Sequence, residues 1–506
     1  MSEQKRMSTN VNRGLAWIGV ASSLVGVLDI VAIVLILNFW ISKTEYGIAT
    51  MCIWIFPILD QATDLGLSAA VIQRDDHDEV KISTVFWMNL MIAAAMFVVL
   101  VIGAPIAAEH FYHHAIIGWM LIAYGTKLLW QNIYFIPAAM MKRELRFKEL
   151  SVIRILANLA EFFGKVGFAW AGFGIWCFVL GPLCRVVVTG VGCQLRHPYK
   201  PKLVFRFKQA KDYVTFGVKT SASQMLFYFY TNVDYPIVGY YFGPAALGLY
   251  RFAYDVALDP VRMISVVVVD IAFPTFARLR HERDRLIAQF VSFVRLNLIT
   301  VMTFSAVVFV GADDLIAVVF PKYEGAGTAL RILCIVAVLR SVSFVIPPLL
   351  DGIGRPDRTF TYTLTAAVAL PCSYVLFAVV LGGTLGFESV AVAWSVGYPI
   401  AFAVLIMLAV YTMKWNARMF LQAVRGVALC MIASGLVAWG VHWVLGGQAP
   451  WVRLVTTAVV VITTAMLLLA YTQGLSLRTA KRAMKGEPTP ELEPTPEQTN
   501  PGLPQQ

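Results

Sequence analysis

The sequence predicts an all-α integral membrane protein. About fourteen transmembrane helices form two pseudo-symmetric six-helix lobes plus a C-terminal helix pair, with both termini cytoplasmic. Three observations carry this. Of 506 residues, 58% are hydrophobic and only 14% charged, whereas a soluble protein carries about 25% charged residues. The apolar residues come in runs of about 20, the length that spans a bilayer core as a helix. The basic residues alternate between loops as topology demands.

Taken in order, the apolar runs lie near 14–40, 47–73, 82–107, 115–140, 149–172, 174–195, 212–241, 244–276, 287–311, 327–350, 359–382, 387–412, 420–446 and 453–473. With the N-terminus placed in the cytoplasm, the inner segments hold 27 Lys and Arg. The outer loops hold only Lys43, Lys322 and Arg453. One miscounted span would scramble this pattern downstream of it. Most of the net charge of +11 is therefore a topology signal, and no nucleic-acid partner is needed to explain it. The chain divides into a cytoplasmic segment 1–13, an N-lobe 14–209, a C-lobe 210–413, additional helices 414–473 and a tail 474–506. Met1–Arg13 is short and basic, and the run after it is too long for a signal-peptide core, so no cleavable signal is expected. The tail, EPTPELEPTPEQTNPGLPQQ, is Pro-rich and acidic and is expected to be disordered. A faint internal echo relates ISKTEYGIAT (41–50) to FGPAALGLYR (242–251), as in transporters built from repeated halves.

An ionisable side chain in a spanning helix costs roughly 2.5–3.5 kcal/mol on insertion scales and marks a functional site by default. Eleven basic residues fall within these runs: Lys127, Arg154, Lys165, Arg185, Lys219, Arg251, Arg262, Arg295, Arg331, Arg340 and Arg425. On a helix turning about 100° per residue, Arg251, Asp255, Asp259, Arg262 and Asp270 share one stripe about 100° wide. Arg154, Asn158, Glu161 and Lys165 share another, and Asp60 and Asp64 are i,i+4 neighbours. Three helices thus turn polar faces away from lipid, as around a water-filled, partly cationic cavity. Pairing within helices, Glu161 with Lys165 and Arg251 with Asp255, accounts for part of this charge. The surplus of bases over acids suits an anionic substrate such as a phosphate or pyrophosphate.

Other patterns carry less. Asp76-His77-Asp78 matches the DxD of sugar-nucleotide transferases but lies in a short loop with no catalytic domain. EHFYHH (109–114) lacks a completed metal set, so no metal site is expected. Gly352-Ile353-Gly354-Arg355-Pro356 reads as a turn, and no Walker motif is present. The seven cysteines form no CxxC and read as small buried hydrophobes.

Several stretches, taken together, resemble a known group. They are Glu45-Tyr46-Gly47, DLGLSAAVIQRDD (64–76), STVFWMNL (83–90), MKRELRFKEL (141–150), NVDYPIVGYYFGPAALGLYRFAYDVALDPVRMI (232–264), FPTFARLR (273–280) and LLDGIGRPD (349–357). In order along residues 10–415 they resemble the Wzx-type polysaccharide repeat-unit flippases, in the colanic-acid and xanthan-like branch. These belong to the multidrug/oligosaccharidyl-lipid/polysaccharide exporter superfamily. The resemblance implies a non-enzymatic secondary transporter of the bacterial inner membrane. It would move an undecaprenyl-pyrophosphate-linked oligosaccharide to the periplasmic leaflet by alternating access, for exopolysaccharide, O-antigen or capsule synthesis. The two additional helices resemble those of lipid II flippases. Implied partners are the lipid-linked oligosaccharide, membrane lipids, and the polymerase and export machinery of the pathway. On this reading Arg251 and Arg262, helped by Arg154, Lys165 or Arg185, engage pyrophosphate in a cavity also lined by Asp255 and Asp259. Asp64, Asp60, Glu161 or Asp270 carries a coupling ion. No cofactor is expected; the drive is the membrane potential or an H+ or Na+ gradient. Rival readings are a drug/cation antiporter of the same superfamily, which would favour an acidic cavity, and a membrane polymerase or glycosyltransferase. The latter would need a catalytic loop longer than the outer segment near 312–326.

Overall fold

A computed structural model describes residues 24–73, 78–415 and 417–473. The N-terminal segment 1–13, the first ten residues of the first run, Asp76 and His77 of the DxD, the Pro-rich tail and the side chain of Lys219 lie outside the described residues. Every described element is helical. Among the described residues, eight helices are long and apolar enough to cross a membrane: Glu79–Phe111, Gly174–Arg196, Arg283–Val310, Gly327–Gly352, Pro356–Leu385, Glu388–Met413, Phe420–Val444 and Pro450–Thr472. Their outward faces are apolar, as at Val99, Ile102, Val380, Leu436 and Leu467. Contiguous exposed hydrocarbon of this kind needs lipid around it. The chain is a multi-pass membrane protein.

The other runs also fall on helix, but they are charged or broken. The run 47–73 is three helices: α2 (Lys43–Ile53), α3 (Phe56–Asp64) and α4 (Leu67–Gln73). Ser42 and Glu45 form a reciprocal capping box that starts α2, and Pro57 sits in the first turn of α3. Leu65 and Gly66 then both take left-handed φ, 42° and 69°, which ends α3. Asp64 Oδ1 accepts from the Ser68 backbone N–H (3.1 Å) and hydroxyl (2.7 Å) and so caps α4.

The chain forms two compact units, Met1–Gly248 and Leu249–Gln506. In the first, α1 (Leu24–Phe39) and α2 to α4 precede α5 (Glu79–Ile106), which packs along α6 (Ala115–Trp130). α7 (Asn132–Arg143) follows α6 after Gln131, splitting the run 115–140. α8 (Phe147–Trp170) and α9 (Cys177–Arg196) form a tight antiparallel pair. α10 (Phe207–Asn232) leads into α11 (Asp234–Ala257), which is interrupted at Gly243 (φ 80°) before Pro244. The echoing segments 41–50 and 242–251 meet here. A Cβ on Gly47 would overlap the Pro244 carbonyl, and one on Gly248 would overlap the Lys43 carbonyl. In the alignment of the echo, Gly47 corresponds to Gly248 and Lys43 to Pro244, so the contact is reciprocal.

The second unit continues with α12 (Asp259–Leu279), α13 (Arg283–Val310), the short α14 (Ala312–Val319), α15 (Gly327–Gly352), α16 (Pro356–Leu385) and α17 (Glu388–Met413). α18 (Ala417–Val444) and α19 (Pro450–Gln473) pair with each other and pack on α13. The run 244–276 is therefore not one helix. α11 ends at Ala257, and Pro260, which has no N–H to donate, opens α12. The segment 312–326, expected as a loop, contains α14 and a 3-10 turn. Phe320 packs edge-on and Tyr323 tilted against Phe252, with ring centroids 4.7 and 4.8 Å away. The GIGRP turn is a turn, with Gly354 at φ 82°. All seven cysteines are free. Five are buried, but Cys372 is exposed on the apolar flank of α16 and Cys184 is half-buried.

Candidate functional site

In the first unit, Glu161 is the centre of a charge cluster. Its carboxylate meets Lys165 Nζ at 2.7 Å, one turn on in α8, and Arg185 Nη1 at 2.9 Å from α9. Arg185 can reach because the two helices nearly touch. A Cβ on Gly164 would lie 3.3 Å from Gly181 Cα, and one on Gly181 would overlap the Lys165 side chain. Small residues at such a crossing let backbones approach closely. A second pair joins α3 to α6: Lys127 Nζ lies 2.5 Å from Asp60 Oδ2, while Gln131 Nε2 donates to Asp60 Oδ1 at 3.1 Å. The pairs sense each other. Lys127 lies within electrostatic range of Arg185, and Asp29 of α1 within range of Lys165 and Arg185. Five helices thus contribute three cations and three carboxylates.

The second unit holds Arg251 Nε 2.8 Å from Asp255 Oδ1 on α11. Tyr250 and Tyr254, on the adjoining face, are pinned by Trp394 Nε1 donating to Tyr250 Oη (2.9 Å) and by Arg340 Nη1 donating to Tyr254 Oη (2.8 Å). The buried Arg340 guanidinium also lies 5.1 Å from the Trp394 ring centre. Beyond the Pro260 break the environment changes. Arg262 and Asp259 are 3.5 Å apart on the more exposed start of α12, and Asp270 is exposed. The expected single stripe is thus a buried pair followed by an exposed one. On α8, similarly, Asn158 and Glu161 are buried while Arg154 is exposed.

The ion pairs have a polarity. Glu161 is 5% exposed, but its partners Lys165 and Arg185 are 17% and 38% exposed. Asp255 is likewise more buried than Arg251, and Asp259 more than Arg262. The accessible rim of these clusters is cationic. The Asp60–Lys127 pair reverses this: the lysine is 6% exposed and the carboxylate 31%. Asp60 and Asp64 line a cavity of about 200 Å³ with Asn89, Gln131, Tyr134 and Lys142. Burial of an ion pair is weak support for stability, because desolvation offsets much of the attraction. Such pairs hold specific groups in specific places.

Sequence spacing identified the i,i+4 pairs Glu161–Lys165 and Arg251–Asp255. It did not place Lys127 or Gln131 at Asp60, nor Arg340 at Tyr254, because these partners lie on different helices. The surplus of intramembrane bases also shrinks, since Lys127, Lys165, Arg185, Arg251 and Arg262 each have a carboxylate within reach. A further ionic group fastens the additional helices. Asp314 of α14, buried, meets Arg453 of α19 and lies 3.5 Å from His442 Nδ1 of α18.

Residues 36–323 match the family described as polysaccharide biosynthesis protein. The chain is 27% identical over 446 residues to the teichuronic acid biosynthesis protein TuaB of Bacillus subtilis (strain 168), covering 86% of this chain and 89% of that one. It is 25% identical over 391 residues to the lipopolysaccharide biosynthesis protein WzxC of Escherichia coli (strain K12), covering 74% and 77%. Among solved structures, the lipid II flippase MurJ in an inward closed conformation superposes with a TM-score of 0.72, at 13% identity, over 89% of this chain and 98% of that one. The chain belongs to the polysaccharide biosynthesis protein family of Wzx-type membrane proteins, and it has the fold of the multidrug/oligosaccharidyl-lipid/polysaccharide exporter superfamily.

Proposed function

We propose that this protein is a flippase for undecaprenyl-pyrophosphate-linked oligosaccharide repeat units. It carries them from the cytoplasmic to the periplasmic leaflet of the bacterial inner membrane by alternating access. A glycan cannot cross hydrocarbon, because its hydroxyls would lose their water without replacement. It requires polar helix faces, while the lipid tail can stay in the bilayer. The observation that carries this reading is that the cation is the more exposed member of the ion pairs at Glu161, Asp255 and Asp259. At Lys165, Arg185 and Arg262 the carboxylate holds the cation in place, and the more exposed cation is the group a second anion would meet. Arg251 and Arg262 in one unit, and Arg154, Lys165 and Arg185 in the other, are assigned to pyrophosphate. The relatives named for teichuronic acid and lipopolysaccharide biosynthesis support a substrate of this class. They are named for different polymers, so the glycan is not inherited with the fold.

Fourteen spans with both termini inside follow from the charge pattern, and the potential then favours the direction. Outward movement of each negative charge gains about 2.3 kcal/mol per 100 mV when the cytoplasm is negative. A drug/cation antiporter would need an accessible acidic rim; at Glu161 and Asp255 the polarity is the reverse, and Asp60, the exception, is held by Lys127. The protein is read as a secondary transporter rather than an enzyme. The test is a strain lacking this gene with the initiating glycosyltransferase active. Complete repeat units accumulating on the cytoplasmic leaflet are the expected result. Truncated units would make it a glycosyltransferase, and complete units stranded on the periplasmic leaflet a polymerase.

A further inference from the structure

We propose that the cavity between α3, α5 and α7 is a subsite for one neutral sugar ring of the transported glycan; this rests on the flippase reading. Its volume of about 200 Å³ is below the roughly 300–1,000 Å³ of sites that enclose a drug-sized ligand. It has room for one small polar unit, not an oligosaccharide. The wall chemistry is that of a hydroxyl-binding site. Asp60 offers the exposed member of its ion pair, fixed by Lys127 on one oxygen and Gln131 on the other. Asp64 commits Oδ1 to Ser68, and its other oxygen is an acceptor. Asn89 Nδ2 donates to the Thr63 carbonyl at 3.4 Å, which fixes the amide and leaves its side-chain oxygen as a further acceptor. The Gln131 amide is fixed in the same way. Lys142 supplies donors, and Tyr134 with Phe135 supplies an aromatic wall for the apolar face of a ring.

Charge decides against a cation as the occupant. Asp60 and Asp64 are matched by Lys127, bonded to Asp60, and by Lys142 on the same wall. A neutral pocket with fixed donors and acceptors side by side suits a polyol. A site built to hydrogen-bond hydroxyls rejects analogues lacking them, because its own polar groups would then be left unpaired. Lys142 lies in the segment 141–148 that the charge pattern places at the cytoplasmic side, where a lipid-linked glycan is presented.

The experiment uses the full-length protein in detergent, with Cys184 and Cys372 replaced by Ser and a thiol introduced at Ala138→Cys on the pocket wall. The probes are the methyl glycosides of glucose, galactose, mannose and N-acetylglucosamine, each at tens of millimolar, and separately Na+. At least one glycoside should slow thiol labelling several-fold, and Asp64→Asn and Gln131→Ala should each abolish that protection while the buried cysteines stay protected. No protection by any glycoside, protection unchanged in Asp64→Asn, or protection by Na+ alone would overturn the assignment. Inorganic pyrophosphate, tested on the same protein for thermal stabilisation lost in Arg251→Ala and Arg185→Ala, separates this from the flippase reading. Pyrophosphate binding without glycoside protection removes the subsite only. Glycoside protection without pyrophosphate binding removes the pyrophosphate assignment only.

Discussion

Glu161→Gln isolates the cluster in the first unit. The substitution keeps the volume and removes one charge from between Lys165 at 2.7 Å and Arg185 at 2.9 Å. At an effective dielectric of about 20, each pair is worth about 6 kcal/mol of gross attraction. Desolvation of all three groups takes most of this back, and the measurable cost of leaving the cations uncompensated is about 3–5 kcal/mol. Arg185 is 38% exposed and keeps part of its hydration, which puts the expectation near the lower end, about 3 kcal/mol. The buried cysteines Cys52, Cys177, Cys193, Cys334 and Cys430 make a thiol-reactive dye a direct reporter of thermal unfolding in detergent, once Cys372 and Cys184 are replaced by Ser. A companion Glu161→Gln/Lys165→Met variant removes one stranded cation and should recover about half of the loss, the non-additivity expected of groups in contact. A single variant within about 1 kcal/mol of the parent, or a double variant showing the plain sum of two losses, would refute the reasoning.

Other outcomes follow from the same structure. Gly47→Ala and Gly248→Ala each drive a methyl group into a backbone carbonyl; each should cost about 1–3 kcal/mol or more, since a carbonyl cannot rotate away as a side chain can, and both should lower the midpoint in the thiol assay. Asp314→Asn strands Arg453 and should loosen α18 and α19, read as faster protease cleavage of the 445–450 connection with α13 to α17 still protected. Tyr254→Phe removes the acceptor of the buried Arg340 Nη1 and should destabilise by about 1–3 kcal/mol, more than Tyr471→Phe at an exposed position. A periplasm-active reporter fused at Lys322 should be active and one at Lys200 silent; the reverse would invalidate the fourteen-span topology.

Much of the fold was legible because a bilayer imposes one rule on every span: about 20 apolar residues and all backbone hydrogen bonds satisfied within the helix. The apolar runs fell on helix for that reason. The breaks were less legible. Hydropathy does not register the left-handed Leu65 and Gly66 that divide the run 47–73, and Pro260 is one residue in a window dominated by its apolar neighbours. Ion pairs within a helix could be read from spacing, as at Glu161–Lys165. Asp60 and Lys127 are 67 residues apart, and nothing local in sequence brings them together. The echo between 41–50 and 242–251 was visible as a pattern, but its meaning was not. Only the packing shows that its two glycines leave room for each other's neighbouring carbonyls.

In the proposed function the chain moves a lipid-linked, pyrophosphate-bearing glycan across the bilayer. The most direct test of this is reconstitution of the purified protein into liposomes carrying an undecaprenyl-pyrophosphate-linked fluorescent oligosaccharide, with an imposed membrane potential. The fraction of glycan open to an impermeant glycan-cleaving enzyme is then followed with time. The protein should drive this fraction past its protein-free plateau in the direction set by the potential, and Arg251→Ala with Arg185→Ala should slow the approach about tenfold or more. A fraction that stays at the protein-free plateau, in vesicles whose protein is correctly folded by the thiol assay, would contradict it.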